Sequence, residues 1–302
     1  MRGRKPEVIF DTVALVGVGL IGGSLGMAAK KNSLVRRVIG IGRTEQKLMR
    51  AKILGAIDDY SLDLENGASE ADLVVICTPV RTVVPTLERM AAGLKEGAVV
   101  TDVGSTKSKI VREATVLMPD GRVFIGGHPM AGSEESGVEA AFPDMFLGAT
   151  YVLTPTDQTD LEALRKMTEF VEGIGARVLV MDPEEHDLAA AIISHLPHAI
   201  SAALLHTAAH TPNPAGKTRS MGSPLSLAAG SFRDLTRISD SPPEIWRDIC
   251  LTNLKPLLEA VDSFEAVLAE FKTALMAEDE EAVTRFFEEA RQIKQAHLRL
   301  AK

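Results

Sequence analysis

His128 stands between two glycines and a proline, in Gly126-Gly127-His128-Pro129-Met130-Ala131-Gly132-Ser133-Glu134. Imidazole titrates nearest neutral pH, so a histidine held in so constrained a backbone is a candidate general base. Upstream, Asp102-Val103-Gly104-Ser105-Thr106-Lys107 offers a serine hydroxyl. Ser105 can hydrogen-bond the same substrate hydroxyl as the base, or cap the helix expected from about Thr106, or do both. Near the N-terminus, Gly17-Val18-Gly19-Leu20-Ile21-Gly22 has the spacing G-x-G-x-x-G. In that spacing Gly17 permits a tight turn, Gly19 lets the backbone approach a pyrophosphate, and Gly22 lets a helix pack close to a strand. Leu20, Ile21 and Gly22 then present N–H groups at the positive end of a helix dipole. A base beside a bound nicotinamide suits hydride removal from an alcohol carbon, because the oxygen must lose its proton as the carbon loses hydride.

These residues need a scaffold, and the first half of the chain supplies its pattern. Short apolar runs alternate with helical periodicity: Thr12–Val16, Val38–Ile41, Leu73–Cys77, Ala98–Asp102, Arg122–Gly126, Thr150–Leu153 and Ala176–Val180 read as strands. Helices are expected between them, at 19–31, 44–54, 80–92, from about Thr106, and at 160–172. Strands alternating with helices imply right-handed crossovers and a doubly wound α/β sheet of Rossmann type, with ligands beyond the carboxyl ends of the strands. The glycine turn follows the first such strand and opens a helix, the context a dinucleotide site requires. Thr78 and Pro79, after the third strand, are expected on the nicotinamide side, with Asp102 and Ser105 after the fourth.

At Asp182-Pro183 the pattern changes, and no convincing strand follows. Residues 184–210 read as one helical stretch kinked by Pro197, and 243–263 and 263–300 as amphipathic helices. The expected organisation is therefore a Rossmann domain at 1–181 and an all-α domain at 182–302. A helical domain of that length rarely buries its whole apolar stripe alone, so pairing with a second copy is expected.

The end of the second strand departs from the usual dinucleotide pattern. An acidic residue there binds the ribose 2′-hydroxyl of NAD, but this chain has Gly42-Arg43-Thr44. Two readings stand: Arg43 pairs with the 2′-phosphate of NADP and stacks on the adenine, or it is a solvated loop residue and NAD is used. The cofactor is thus NAD or NADP.

Composition narrows the function classes. The 302 residues carry a formal net charge of −8, with 45% apolar and 25% charged residues. That balance argues against nucleic acid as a partner, the one short basic run being Arg2-Gly3-Arg4-Lys5. Two cysteines, Cys77 and Cys250, make no disulfide framework or zinc spacing, and the N-terminus lacks a signal-like apolar stretch. A cytoplasmic protein with no membrane-spanning segment is expected. His195 with His198 and His206 with His210 have chelating spacings, but no carboxylate or cysteine is placed to complete a site, so no metal is expected.

Several segments together resemble the TyrA family of prephenate and arogenate dehydrogenases: 16–24, 101–107, 127–134, Glu184-Glu185-His186, Ser194-His195-Leu196-Pro197-His198 and Phe232-Arg233-Asp234-Leu235-Thr236-Arg237-Ile238. The resemblance covers nearly the whole chain, and its His-Pro-Met-Ala-Gly and Arg-Asp-Leu-Thr-Arg-Ile segments are specific. It implies that His128 takes the proton of a ring hydroxyl, that Ser105 orients that hydroxyl and the nicotinamide, and that Arg237 holds a substrate carboxylate. It also implies that His186 and His198 line the pocket, that Glu134, Gly230 and Trp246 shape its entrance, and that the protein is a homodimer joined through its helical domain. The residues add one physical point. Arg233 and Arg237 are a like-charge i,i+4 pair, which an anion would relieve.

The reaction so implied is oxidative decarboxylation of prephenate to 4-hydroxyphenylpyruvate, in tyrosine biosynthesis. Arogenate differs only in bearing an amino-acid arm, and the sequence does not choose between a prephenate-specific, an arogenate-specific and a dual-specificity cyclohexadienyl enzyme. A hydroxyacid or pyrroline carboxylate reductase would share the glycine turn without His128 in its setting or the Arg-Asp-Leu-Thr-Arg segment. A non-catalytic dinucleotide sensor would lack the base and the anion site, both of which are present here.

Overall fold

The computed structural model describes residues 8–133, 135–210 and 224–300, with side chains to residue 296 in the last helix. The strands are β1 (Phe10–Val16), β2 (Val35–Ile41), β3 (Asp59–Ser61), β4 (Leu73–Ile76), β5 (Val99–Asp102), β6 (Val123–Pro129), β7 (Thr150–Thr154) and β8 (Arg177–Val180). The helices are α1 (Leu20–Lys31), α2 (Glu45–Ile53), α3 (Leu64–Ala68), α4 (Val83–Met90), α5 (Ser108–Leu117), α6 (Leu161–Gly173), α7 (Pro183–Ala190), α8 (Leu196–His210), α9 (Gly230–Thr236), α10 (Pro243–Thr252), α11 (Leu254–Met276) and α12 (Glu280–Leu300). The chain forms two compact units, one ending at Asn253 and one beginning at Leu254.

In the first unit one eight-stranded sheet runs β3-β2-β1-β4-β5-β6-β7-β8. All neighbours are parallel except β6 and β7. The order reverses direction from β1, the doubly wound arrangement expected of the alternating pattern. Alternate residues of each central strand feed two separate cores. Val13, Leu15, Leu73 and Val75 pack on the α1 and α6 side. Ala14, Val16, Val74 and Ile76 pack on the side covered by α4 and α5. Burial on both faces explains why these strands read as continuous apolar runs rather than alternating ones.

Four local expectations are revised. The short strand β3 was not foreseen, because three residues carry too little pattern to read. His128 lies within β6, not in a loop after it. The strand continues past its last β5 partner, Ile125, and pairs Gly126–Pro129 with β7 instead. The helix after β5 starts at Ser108, with Lys107 at its N-cap position, so Ser105 is not its cap. The C-terminal helices break at Asn253 and near Glu278, whose φ is +50°, rather than at Ser263.

Residues 183–210 are helical throughout, and Pro197 is accommodated by a π turn at Ala191–His195 rather than by an open break. Proline lacks the N–H that the carbonyl four residues earlier needs, and a wider turn absorbs the mismatch. Asp182 begins the run by accepting from Glu184 N at 2.8 Å, with Pro183 in the first helical turn. Contrary to the sequence expectation, this stretch of 28 residues, with hydropathy 1.7, is long and apolar enough to cross a membrane by length and composition. Its buried polar residues His186, Asp187 and His195 bond instead to the rest of the first unit.

The second unit is a helical hairpin. Asp279 accepts from Ala282 N at 2.9 Å and so caps α12, while Phe271 meets Phe286 with ring centroids 4.8 Å apart.

Candidate active site

The glycine turn has the shape its spacing predicts. Gly17 takes φ +92°, and a Cβ there would lie 3.0 Å from the Cys77 carbonyl oxygen. A Cβ on Gly22 would lie 2.5 Å from the Gly17 oxygen, so only glycine lets α1 pack so close. A Cβ on Gly19 would meet nothing within 4 Å, so the backbone there faces open space. The first bond of α1 runs from Gly23 N to Gly19 O, leaving the N–H groups of Leu20, Ile21 and Gly22 aimed out of the helix start. Beside this turn, the Thr78 methyl lies 3.3 Å from the Gly17 Cβ position, and the Thr78 hydroxyl is enclosed without a partner among the described residues. The next residue, Pro79, opens the 3-10 turn that precedes α4. Open backbone, free N–H groups and an orphaned hydroxyl are what a bound dinucleotide fits. Arg43, after β2, is exposed.

His128 is the end of a hydrogen-bonded line. Its Nδ1 lies 2.8 Å from His186 Nε2, and His186 Nδ1 lies 2.9 Å from Asp187 Oδ1. A carboxylate accepts, so His186 carries its proton on Nδ1 and accepts at Nε2. His128 must then carry its proton on Nδ1, which leaves Nε2 as the acceptor that a general base needs. Burial, followed by His186, Lys107 and His195, holds the His128 pKa well below its ordinary value. The ring is therefore neutral and ready to take a proton.

Asp187 has a second task. Its carboxylate accepts from Lys107 N at 2.7 Å and Ser108 N at 2.9 Å, capping α5 from another helix. Burial by itself would raise the Asp187 pKa. The His186 side chain and these N–H groups outweigh it and hold the carboxyl below its usual range.

A buried ion pair braces the strand that carries His128. Lys107 Nζ pairs with Asp102 Oδ2 and donates to Gly127 O at 2.9 Å, and both side chains are fully buried. Asp102 also accepts from Gly104 N at 2.8 Å and Gly127 N at 3.2 Å. Its carboxylate is spent on protein donors and ties the end of β5 to β6. Gly127 makes this approach possible, since a Cβ there would lie 2.6 Å from Asp102 O. Ser105, in the same loop, is half-buried.

His198 and Trp246 also come together, stacked with centroids 3.6 Å apart. His198 Nδ1 donates to Ser194 O at 2.9 Å. Trp246 sits on α10, which is anchored by Arg81 to Asp248 at 3.4 Å and by Thr106 to Thr252 at 3.1 Å. Arg237 is exposed just after α9, in a segment tied to α8 by Ser201 and Ser239 at 2.6 Å. Gly230 is the exposed first residue of α9. Glu134 lies outside the described residues. Sequence reading did not single out Asp187 or Asn253, and weighed His195 only as half of a chelating pair. The usable signal was Asn253, a polar residue interrupting an otherwise apolar helical face.

A sheet that reverses order beside a glycine turn, with a tautomer-fixed histidine among the strand ends, defines a dinucleotide-dependent dehydrogenase. Residues 25–180 match the family model for the prephenate dehydrogenase nucleotide-binding domain, and residues 182–289 match the one for its dimerization domain. The chain belongs to the prephenate dehydrogenase family. It is 41% identical over 284 residues to the prephenate dehydrogenase of Bacillus subtilis, covering 93% of this chain and 74% of that protein. It is 32% identical over 289 residues to the cyclohexadienyl dehydrogenase of Zymomonas mobilis, covering 95% and 96%. The solved structure of prephenate dehydrogenase from A. aeolicus, in complex with hydroxyphenyl propionate and NAD+, superposes with TM-score 0.86 at 33% identity, covering 95% of this chain and 98% of that one.

Proposed function

We propose that this protein oxidises and decarboxylates prephenate to 4-hydroxyphenylpyruvate, as a step of tyrosine biosynthesis in the cytoplasm. The observation that carries this reading is the line His128–His186–Asp187, which leaves His128 Nε2 as a neutral acceptor. Its two unpaired cysteines suit a reducing compartment.

A bound NAD or NADP supplies the hydride acceptor. Gly17, Gly19 and the N–H groups of Leu20, Ile21 and Gly22 would hold its pyrophosphate, with Thr78 and Pro79 on the nicotinamide side. Arg43 would meet a 2′-phosphate if NADP is the cofactor. His128 Nε2 takes the proton of the ring hydroxyl as hydride leaves the same carbon. The ring then becomes aromatic by breaking the bond to its carboxylate, which departs as carbon dioxide. The bonding electrons end on the former hydroxyl oxygen, and His128 returns its proton there. Ser105 orients the hydroxyl. Arg237 holds a substrate carboxylate, and His186, His198, Trp246, Gly230 and Glu134 complete the pocket. Such a step needs position, one base and anion-binding groups.

The residues from 182 onward are assigned to substrate binding and to pairing with a second copy. Within the second unit, Leu254, Leu258, Leu268, Leu275 and Phe287 are each more than half exposed, a face suited to a homodimer. Arogenate is a second substrate to test, because the match to a cyclohexadienyl dehydrogenase extends over 95% of the chain.

The test is a matrix of steady-state rates with prephenate and arogenate, each with NAD+ and NADP+, followed at the reduced-nicotinamide absorbance band. Turnover of prephenate with at least one cofactor is expected. Absence of signal in all four cells overturns the reading.

A further inference from the structure

His195 is a histidine that the reaction described above does not use. It ends the π turn, is 1% exposed, and lies against the Trp246 ring with centroids 6.2 Å apart. Its electrostatic neighbours are Asp187, His186 and His198, and it acts in turn on His128. It therefore sits inside the cluster assigned to substrate.

Its tautomer follows from its partner. Asn253 Nδ2 lies 2.7 Å from the Asp187 carbonyl oxygen and 3.1 Å from His195 Nδ1. A carbonyl only accepts, so the amide must turn its NH₂ toward Asp187, and the second amide hydrogen then points at His195. His195 Nδ1 accepts, and Nε2 carries the proton. That Nε2–H is enclosed and has no partner among the described residues, and neither has the enclosed Trp246 Nε1–H. Buried donors are seldom left unmet, and two of them beside one cluster mark a place for an acceptor.

We propose that His195 is a substrate-binding residue whose Nε2–H donates to a carboxylate oxygen of the bound substrate, with Asn253 fixing the tautomer that makes it a donor. The proposal rests on prephenate turnover as read above. A neutral donor suits this substrate. A cation gripping the carboxylate that is to leave would stabilise the charge that must move into the ring, whereas a neutral N–H orients it without that penalty. His195 stays neutral, because burial pushes its pKa down to about 4.

The test is steady-state kinetics of His195→Leu and His195→Gln in the full-length protein. The glutamine amide nitrogen stands where Nε2 stands. His195→Leu is expected to raise KM for prephenate about 10-fold to 100-fold, with KM for the dinucleotide unchanged, and His195→Gln to recover most of the loss. A raised inhibition constant for 4-hydroxyphenylpyruvate in His195→Leu assigns the donor to the arm carboxylate, and an unchanged one to the ring carboxylate. An active wild type with unchanged KM in His195→Leu overturns this role alone, as does a folded His195→Gln no better than leucine. An inactive wild type overturns the reading of function and this inference with it. Nitrogen-15 shifts of the wild-type His195 ring provide a reading independent of variant folding. A proton on Nε2 is expected, moving downfield with 4-hydroxyphenylpyruvate where the arm carboxylate is the acceptor, and a proton on Nδ1 overturns the assignment.

Discussion

His128 Nδ1 lies 2.8 Å from His186 Nε2, and this contact decides which nitrogen of His128 is left to accept a proton. The decision originates one step further away, at Asp187, which holds the His186 proton on Nδ1. Asp187→Asn is expected to let His186 turn or change tautomer, and to lower kcat by about 10³-fold or more, as when a carboxylate orienting a catalytic histidine becomes an amide. Dinucleotide affinity, read by fluorescence titration, should hold. A folded variant with kcat within tenfold of wild type would remove Asp187 from the relay.

The depressed histidines predict a pH dependence with a definite sign. Burial lowers the pKa of His128, of His195 and of His198. A histidine with a folded pKa below its unfolded value contributes fully above the unfolded value, about 6.5, and its contribution is lost as pH falls from there toward the folded value. The Tm should therefore fall progressively below about pH 6.5. The acid limb of kcat/KM should also lie below that pH, because that profile reports the free enzyme's base. His128→Asn should lower kcat by about 10²–10⁴-fold and abolish that limb. An acid limb at or above the ordinary histidine value would contradict the assignment.

Lys107 and Asp102 form a fully buried pair under the strand bearing His128. Lys107→Met leaves a carboxylate buried without its cation, and should cost about 3–5 kcal/mol in urea unfolding at fixed protein concentration. Adding Asp102→Asn should recover much of that loss, since the stranded charge is then gone. A single variant as stable as wild type would mean that the pair is not closed in solution.

Arg237 is expected to act on binding. Arg237→Ala should raise KM for prephenate far more than it lowers kcat, because a carboxylate is held alike before and during the chemical step. Equal kinetics for Arg237→Ala and wild type would take Arg237 out of the substrate site.

Sequence alone determined the doubly wound sheet, the glycine turn and the identity of His128, because these depend on short-range patterns. Apolar runs buried on both faces and a fixed glycine spacing leave few folds open, and Gly17 and Gly22 each met the steric role their spacing assigns, with open space at the Gly19 Cβ position. Tertiary structure decided what the neighbours of His128 do. The Asp102 carboxylate braces the end of β5 against β6, and Ser105 is not the cap of α5. His186 is the partner of His128 Nδ1. Asp187 and Asn253 entered as the residues that set proton positions on His186 and His195. The bond between His128 and His186 spans 58 residues and that between Lys107 and Asp187 spans 80. Hydrogen bonds across such separations leave no periodicity in the chain, and a histidine's tautomer is a property of its partner rather than of its own sequence.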